Sequence, residues 1–223
     1  MPPGGFSQLS ACAGRPFENF LHPPLMSLLE HVHIELGFLE AIQEAAAHPG
    51  IDTMLTAVSR LGDFGFIWIA LSLALALWPR TRRAGVTMLA ALLLGYLVCN
   101  LTLKPVVERL RPCDLVEGMA LIACPPDFSF PSGHTTSAFA AATAFALFYP
   151  RLGIPALLFA ALMAFSRLYL FVHFPTDVAA GAVIGALCAW AAVRIVGLAA
   201  RRISSRSEAR APDRDPGAAP PGS

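Results

Sequence analysis

Charge is what this chain has least of. Only 14% of its 223 residues are Asp, Glu, Lys or Arg, and the net charge is +1. Soluble domains carry about a quarter charged residues. A balance so close to zero carries no message about nucleic acid or acidic partners, and no nucleic-acid partner is expected. The five cysteines form no CxxC pair, which argues against a zinc site. The opening MPPGGFSQLS lacks the basic residues, apolar stretch and small-residue cleavage site of a secretory signal, so insertion into a membrane is expected to rest on later segments.

Apolar material is abundant instead: 56% of residues are hydrophobic and the mean hydropathy is +0.60. It is continuous from about residue 51 to 200, which favours one membrane domain. The apolar runs 64–78, 84–103, 134–149, 152–171 and 176–200 read as five spans joined by short connections. Upstream, residues 25–48 repeat apolar positions at helical spacing but include Glu30, Glu35, Glu40 and Glu44. Four carboxylates favour an amphipathic helix on the membrane surface, with a first span as the alternative.

The expected class is therefore an all-α, polytopic transmembrane helix bundle of five to six spans. Its expected parts are a flexible tail over 1–24, an amphipathic or first membrane helix over 25–50, a transmembrane domain over 51–202 and a disordered tail over 203–223. Arg80, Arg82 and Arg83, then Arg151, then Arg201, Arg202 and Arg206 fall on one side if five spans alternate, and that side should be cytoplasmic.

Three polar strings sit at the edges of these runs, where charged side chains are costly to hold. The first, KPVVERLRP over 104–112, places Lys104 and Arg111 seven residues apart. In a helix, seven steps of about 100° bring both onto one face, two turns apart. As an isolated pair they read first as snorkelling residues that end a span. The second, PSGH over 131–134, puts Ser132, Gly133 and His134 at a helix start, where unpaired N–H groups and the helix dipole favour a phosphate. His134 there can protonate a leaving oxygen. The third, SRLYLFVHFPTD over 166–177, holds Arg167, His173 and Asp177. Asp177 can merely cap a helix, or it can accept the His173 N–H and leave the other ring nitrogen to attack. All three strings fall on the same expected membrane face, opposite the arginine-rich loops. Cys113 and Cys124 lie in the polar loop between the first two strings, either bonded, if that loop faces an oxidising compartment, or as two free thiols.

The arrangement resembles the type 2 phosphatidic acid phosphatase superfamily, with its signature K-x6-RP, PSGH and SR-x5-H-x3-D. Every signature residue is present at the family spacing, and the match covers roughly residues 60–200. The resemblance implies a helical core shared with soluble acid phosphatases and vanadium haloperoxidases. It makes His173 the nucleophile that forms a phosphohistidine, Asp177 its orienting partner and His134 the general acid. Lys104, Arg111, Ser132, Gly133 and Arg167 become the phosphate cradle. No metal and no other cofactor is implied.

The expected partners are a lipid phosphate substrate and membrane lipids. Undecaprenyl diphosphate is the leading substrate; phosphatidic acid, phosphatidylglycerol phosphate and lipid A follow, as does a phosphotransferase. The expected place is a bacterial cytoplasmic membrane with the site facing the periplasm. A vanadate-dependent haloperoxidase and a non-enzymatic lipid-phosphate binder are the competing classes. Oligomeric state is left open.

Overall fold

The computed structural model describes residues 23–209; the outer parts of the two expected tails lie outside them. The chain divides into two units, residues 1–47 and 48–223. In the first, the heptad-like apolar spacing upstream of His48 forms one helix, α1 (Pro23–Ala46).

The regular elements of the second unit's described residues are all helical: α2 (Pro49–Leu61), α3 (Phe66–Leu77), α4 (Arg82–Tyr96), α5 (Lys104–Val107), α6 (Pro112–Leu115), α7 (Gly133–Phe148), α8 (Pro150–Tyr169) and α9 (Pro175–Ala209). By length and apolarity, three stretches can cross a membrane: 82–115, 150–169 and 175–203. A fourth is reached if α2 and the stretch through α3, bent by 47° at Gly62, count as one. The five-to-six count is not reached on these criteria. Residues 49–77 break at Gly62–Gly65, and α7 has only 16 residues. Nor is α1 among the stretches that meet them. Helix α9 also continues to Ala209, into the stretch expected to be a disordered tail, with no Gly or Pro between 198 and 209 to stop it.

α7 is the central element, packed against α9, α8 and α4. Ala138, Ala140, Ala141, Ala142 and Ala144 are completely buried on it. Small residues let helix backbones approach closely where lipid-like surroundings give no hydrophobic drive to associate. α9 answers with glycine: a Cβ at Gly185 would stand 2.5 Å from Thr136 O, and one at Gly181 2.8 Å from Ser132 O. The helices thereby stay in close contact up to their shared end, where a backbone bond from Ser132 N to Asp177 O (3.1 Å) joins the second string to the third. Away from this seam the helices present Leu73, Leu77, Leu93, Leu158, Val183, Leu187 and Leu198 outward, a surface suited to lipid.

Candidate active site

Three connections meet at one end of the bundle: the break between α2 and α3, the long loop from α5 to α7, and the turn between α8 and α9. The widened helical turn over Leu97–Leu103 precedes Lys104, a distortion frequent at functional sites. The chain then leaves the helix at Glu108, whose φ of 50° is left-handed. Lys104 and Arg111 are thus not two turns apart on one helical face, as their spacing suggested. They converge by another route, since Lys104 Nζ and Arg111 Nη2 (2.7 Å) both grip the Asp127 carboxylate.

Both cations are buried, while the Asp127 side chain is 51% exposed. Burial alone would raise the Asp127 carboxyl, but Lys104 and Arg111 outweigh it and hold the group below its usual range. Every donor of Arg111 is in use. Nε reaches Asp127 O (2.8 Å), Nη2 also reaches Phe128 O (3.3 Å), and Nη1 reaches Val172 O (2.8 Å) and His173 Nε2 (3.1 Å). A single guanidinium therefore ties the loop before α7 to the turn that carries His173.

That turn is tightly specified. Phe171 is left-handed (φ 61°) and Val172 N returns to Arg167 O. Residues 170–174 are all buried. Burial, then Arg111, Arg167, Lys104 and His134, push His173 well below the ordinary histidine value. Its imidazole is therefore neutral near pH 7. Arginine can only donate, so Nε2 is an acceptor and the ring proton sits on Nδ1.

Asp177 does two things. It is the third residue of α9, and its Oδ2 accepts the Phe174 N–H (2.9 Å), half of a capping box. Its distance to His173 Nδ1 is 3.7 Å, longer than a hydrogen bond. The direct link expected between the two is not made. Ser129 stands between them, 2.5 Å from Asp177 Oδ2 and 3.4 Å from His173 Nδ1. Arg109 Nη1 bonds the other oxygen, Oδ1 (2.7 Å), and its guanidinium lies 4.0 Å above the Phe174 ring centroid.

On the opposite side, His134 opens α7 and its Nε2 meets Asp63 Oδ1 at 3.0 Å. Asp63 follows Gly62, where a Cβ would collide with His134 Cδ2 at 2.8 Å. A Cβ at Gly133 would lie 3.9 Å from Lys104 Nζ, so the lysine stands at the start of α7. Ser132 is buried and its Oγ accepts from Thr135 (3.0 Å), leaving the Ser132 proton for another acceptor. Arg167 donates to Ser59 Oγ, while its buried Nε has no partner among the described residues. An orphaned guanidinium N–H in a buried site is a standing demand for an anion's oxygen. Cys113 and Cys124 are bonded to each other (Cα–Cα 5.9 Å), stapling α6 to the loop that brings Asp127 and Ser129.

Asp127, Ser129, Arg109 and Ser59 were not identified from the sequence; Asp63, next to Gly62 at the start of an apolar run, reads there as a helix cap or as lining for a headgroup entrance. Their signal is faint. Arg109 lies within the K-x6-RP spacing and Ser129 two residues before Pro131, but loop residues carry no periodicity to mark them.

A helical bundle with an outward lipid-like surface, holding two histidines among clustered cations, defines a membrane protein built to grip and transfer an oxyanion. Residues 84–201 match the PAP2 superfamily. The chain belongs to that family. It is 41% identical over 152 residues to a decaprenylphosphoryl-5-phosphoribose phosphatase of Mycolicibacterium smegmatis, covering 66% of this chain and 81% of the relative. It is 29% identical over 182 residues to an undecaprenyl-diphosphatase of Sulfolobus acidocaldarius, covering 77% and 88%. Among solved structures, it superposes with a transmembrane PAP2-type phosphatidylglycerolphosphate phosphatase from Bacillus subtilis at a TM-score of 0.61 and 26% identity, covering 83% of this chain and 90% of that one.

Proposed function

We propose that this membrane phosphatase of the PAP2 type acts on a polyprenyl lipid, releasing phosphate from undecaprenyl diphosphate through a phosphohistidine. The observation that carries this reading is Arg111 Nη1 on His173 Nε2 at 3.1 Å, which sets a phosphate-binding cation beside the nucleophilic lone pair. A bound phosphoryl group takes over that donor together with Lys104, the unpartnered Arg167 Nε and the Ser132 hydroxyl. Its phosphorus then faces Nε2. Attack forms the P–N bond and breaks the bond to the leaving oxygen, which His134 protonates. Burial and then Arg167 lower His134 to about 4 in the free site, with Asp63 opposing them, and the negative charge of the bound phosphate tips His134 into its acid form. In the second half, His134 takes a proton from water, which displaces His173 and releases phosphate. Preorganised cations stabilise the charge that spreads over the phosphoryl oxygens.

Asp127 occupies the ground between Lys104 and Arg111 that this phosphate needs, so its carboxylate must yield when substrate binds. The site lies at the helix ends opposite Arg80, Arg82, Arg83, Arg151, Arg201 and Arg202. By the excess of positive charge on cytoplasmic loops, it faces outward from the cytoplasmic membrane, toward the periplasm in a bacterium. The disulfide at the site end supports the same orientation, since disulfides persist in oxidising compartments.

A second reading has its own support. The 41% identity to a decaprenylphosphoryl-5-phosphoribose phosphatase favours a phosphomonoester on a sugar carried by a polyprenyl chain. Purified protein, offered undecaprenyl diphosphate, a decaprenylphosphoryl phosphoribose, phosphatidic acid, phosphatidylglycerol phosphate and lipid A, separates the readings by phosphate release. His173→Ala abolishes turnover and His134→Ala slows it. Retained turnover in His173→Ala, or no release from any lipid, overturns the proposal.

A further inference from the structure

The distance of 3.7 Å between His173 Nδ1 and Asp177 Oδ2 leaves the ring proton without a direct acceptor on the carboxylate. Asp177 is not free to close that gap. Its Oδ1 is held by Arg109, and its Oδ2 already accepts the Phe174 N–H that caps α9. Ser129 fills the space, and it arrives there by a separate constraint: its backbone N–H donates to Arg109 O at 2.8 Å, so the first string holds the residue in place. Ser129, His173 and Asp177 are all buried.

The directions of the bonds follow from the groups. Asp177 as a carboxylate can only accept, so the Ser129 proton goes to Oδ2 across 2.5 Å. The Ser129 oxygen then has lone pairs facing His173 Nδ1 at 3.4 Å, and the Nδ1 proton is the available donor.

We propose that Ser129 is a positioning residue for His173, a hydroxyl link through which Asp177 holds the imidazole in the Nδ1–H form with Nε2 turned to the substrate. This rests on the reading of His173 as nucleophile. No proton leaves the ring during attack: Nε2 bonds to phosphorus, the imidazole gains positive charge, and the Nδ1–H bond to Ser129 strengthens against it. The negative charge of Asp177 reaches the ring through the polarised hydroxyl rather than by contact. Arg109, on the far oxygen, fixes that carboxylate in place.

The test uses full-length protein in detergent, with Ser129→Ala and Ser129→Thr, and histidines labelled with nitrogen-15 in the ring. His173 is assigned by its absence in His173→Gln. In the native protein His173 gives the Nδ1-protonated signature. With inorganic phosphate bound, which draws Arg111 Nη1 off Nε2, Ser129→Ala converts the ring to a mixture of tautomers; in turnover without added phosphate it lowers kcat about tenfold with KM within about twofold, as expected for one hydrogen bond that strengthens in the transition state. Ser129→Thr, which keeps the hydroxyl, restores the signature and most of kcat. The inference is overturned if Ser129→Ala leaves tautomer and kcat unchanged, because Asp177 then reaches the ring by itself. It is also overturned if kcat falls with an unaltered tautomer, in step with melting temperature. The ring signals do not depend on turnover. Wild-type protein that releases phosphate from no lipid therefore defeats the proposed function, while the tautomer comparison still judges Ser129.

Discussion

Replacing Asp127 by asparagine should tighten substrate binding, an unusual outcome for a residue paired with two buried cations. The carboxylate bridges Lys104 and Arg111, and a substrate phosphate needs the same donors. An exposed ion pair is worth ~0–1 kcal/mol, whereas stranding a buried charge costs ~3–5 kcal/mol. Asp127 is about half exposed and both cations are buried, so the competition lies toward the lower range, at about 1.4 kcal/mol. That corresponds to about a tenfold fall in KM. The amide oxygen introduced by Asp127→Asn still accepts a hydrogen bond, so the loop should keep its place and kcat should change by less than about threefold. The assay is phosphate release from the preferred lipid in mixed micelles, with inhibition by inorganic phosphate measured alongside. The inhibition constant should fall in parallel with KM, since the free ion meets the same cations. A raised KM refutes the reasoning, because it means that Asp127 aligns Lys104 and Arg111 around bound substrate instead of contesting them.

Other perturbations separate the parts of the site. Arg111→Lys should lower kcat/KM by about a hundredfold or more, because an ammonium cannot serve the loop, the turn and His173 together; steady-state kinetics of the variant read this directly, and a loss under about threefold would contradict it. Gly62→Ala drives a methyl into Met163 Sδ (2.5 Å) and His134 Cδ2 (2.8 Å); the thioether can bend away but the imidazole must move off its line to the leaving oxygen, so kcat should drop with KM nearly held. Since burial and the surrounding cations depress His173, its neutral, attacking form persists below the usual histidine range, and the acid limb of kcat/KM should lie below pH 6.5; a limb at or above that value removes His173 as the titrating nucleophile. Reduction of the bond between Cys113 and Cys124, which spans 11 residues, should cost about 3 kcal/mol by loop entropy, visible as a lower melting temperature with reductant that a Cys113→Ser, Cys124→Ser protein does not show.

What could be read in the chain and what could not divides along a physical line. Lys104, Arg111, His134, Arg167, His173 and Asp177 stand at fixed spacings beside apolar runs, and a costly charge at a membrane edge is conspicuous in sequence. Their meeting at one end follows from alternating helices. The manner of meeting does not. Glu108 in a left-handed conformation breaks the helix that would have aligned Lys104 with Arg111, and it takes Asp127, 23 residues downstream of Lys104, to draw the two cations together. Likewise the spacing of His173 and Asp177 suggested a direct bond, but α9 begins at Pro175 and recruits Asp177 to cap Phe174 N. A residue from a loop then had to complete the connection. Loop partners such as Asp127 and Ser129 are selected by three-dimensional proximity alone, and no periodicity announces them.

The charges of the assembled site explain why it should be occupied. Among the described residues, Asp127 is shared by Lys104 and Arg111, Asp177 is paired with Arg109, and Asp63 is turned to His134. Among the same residues, Arg167 meets only the Ser59 hydroxyl and its Nε has no partner. Four permanent cations therefore face three carboxylates, one of which is spent on a neutral imidazole. A buried excess of positive charge in low-dielectric surroundings is costly to leave uncompensated, and displacing Asp127 on substrate binding makes that excess larger still. A phosphate bearing one or two negative charges cancels it. The helix bundle thus supplies a field whose deficit matches the charge of the group it transfers, with the His173 lone pair aimed at the centre of that deficit.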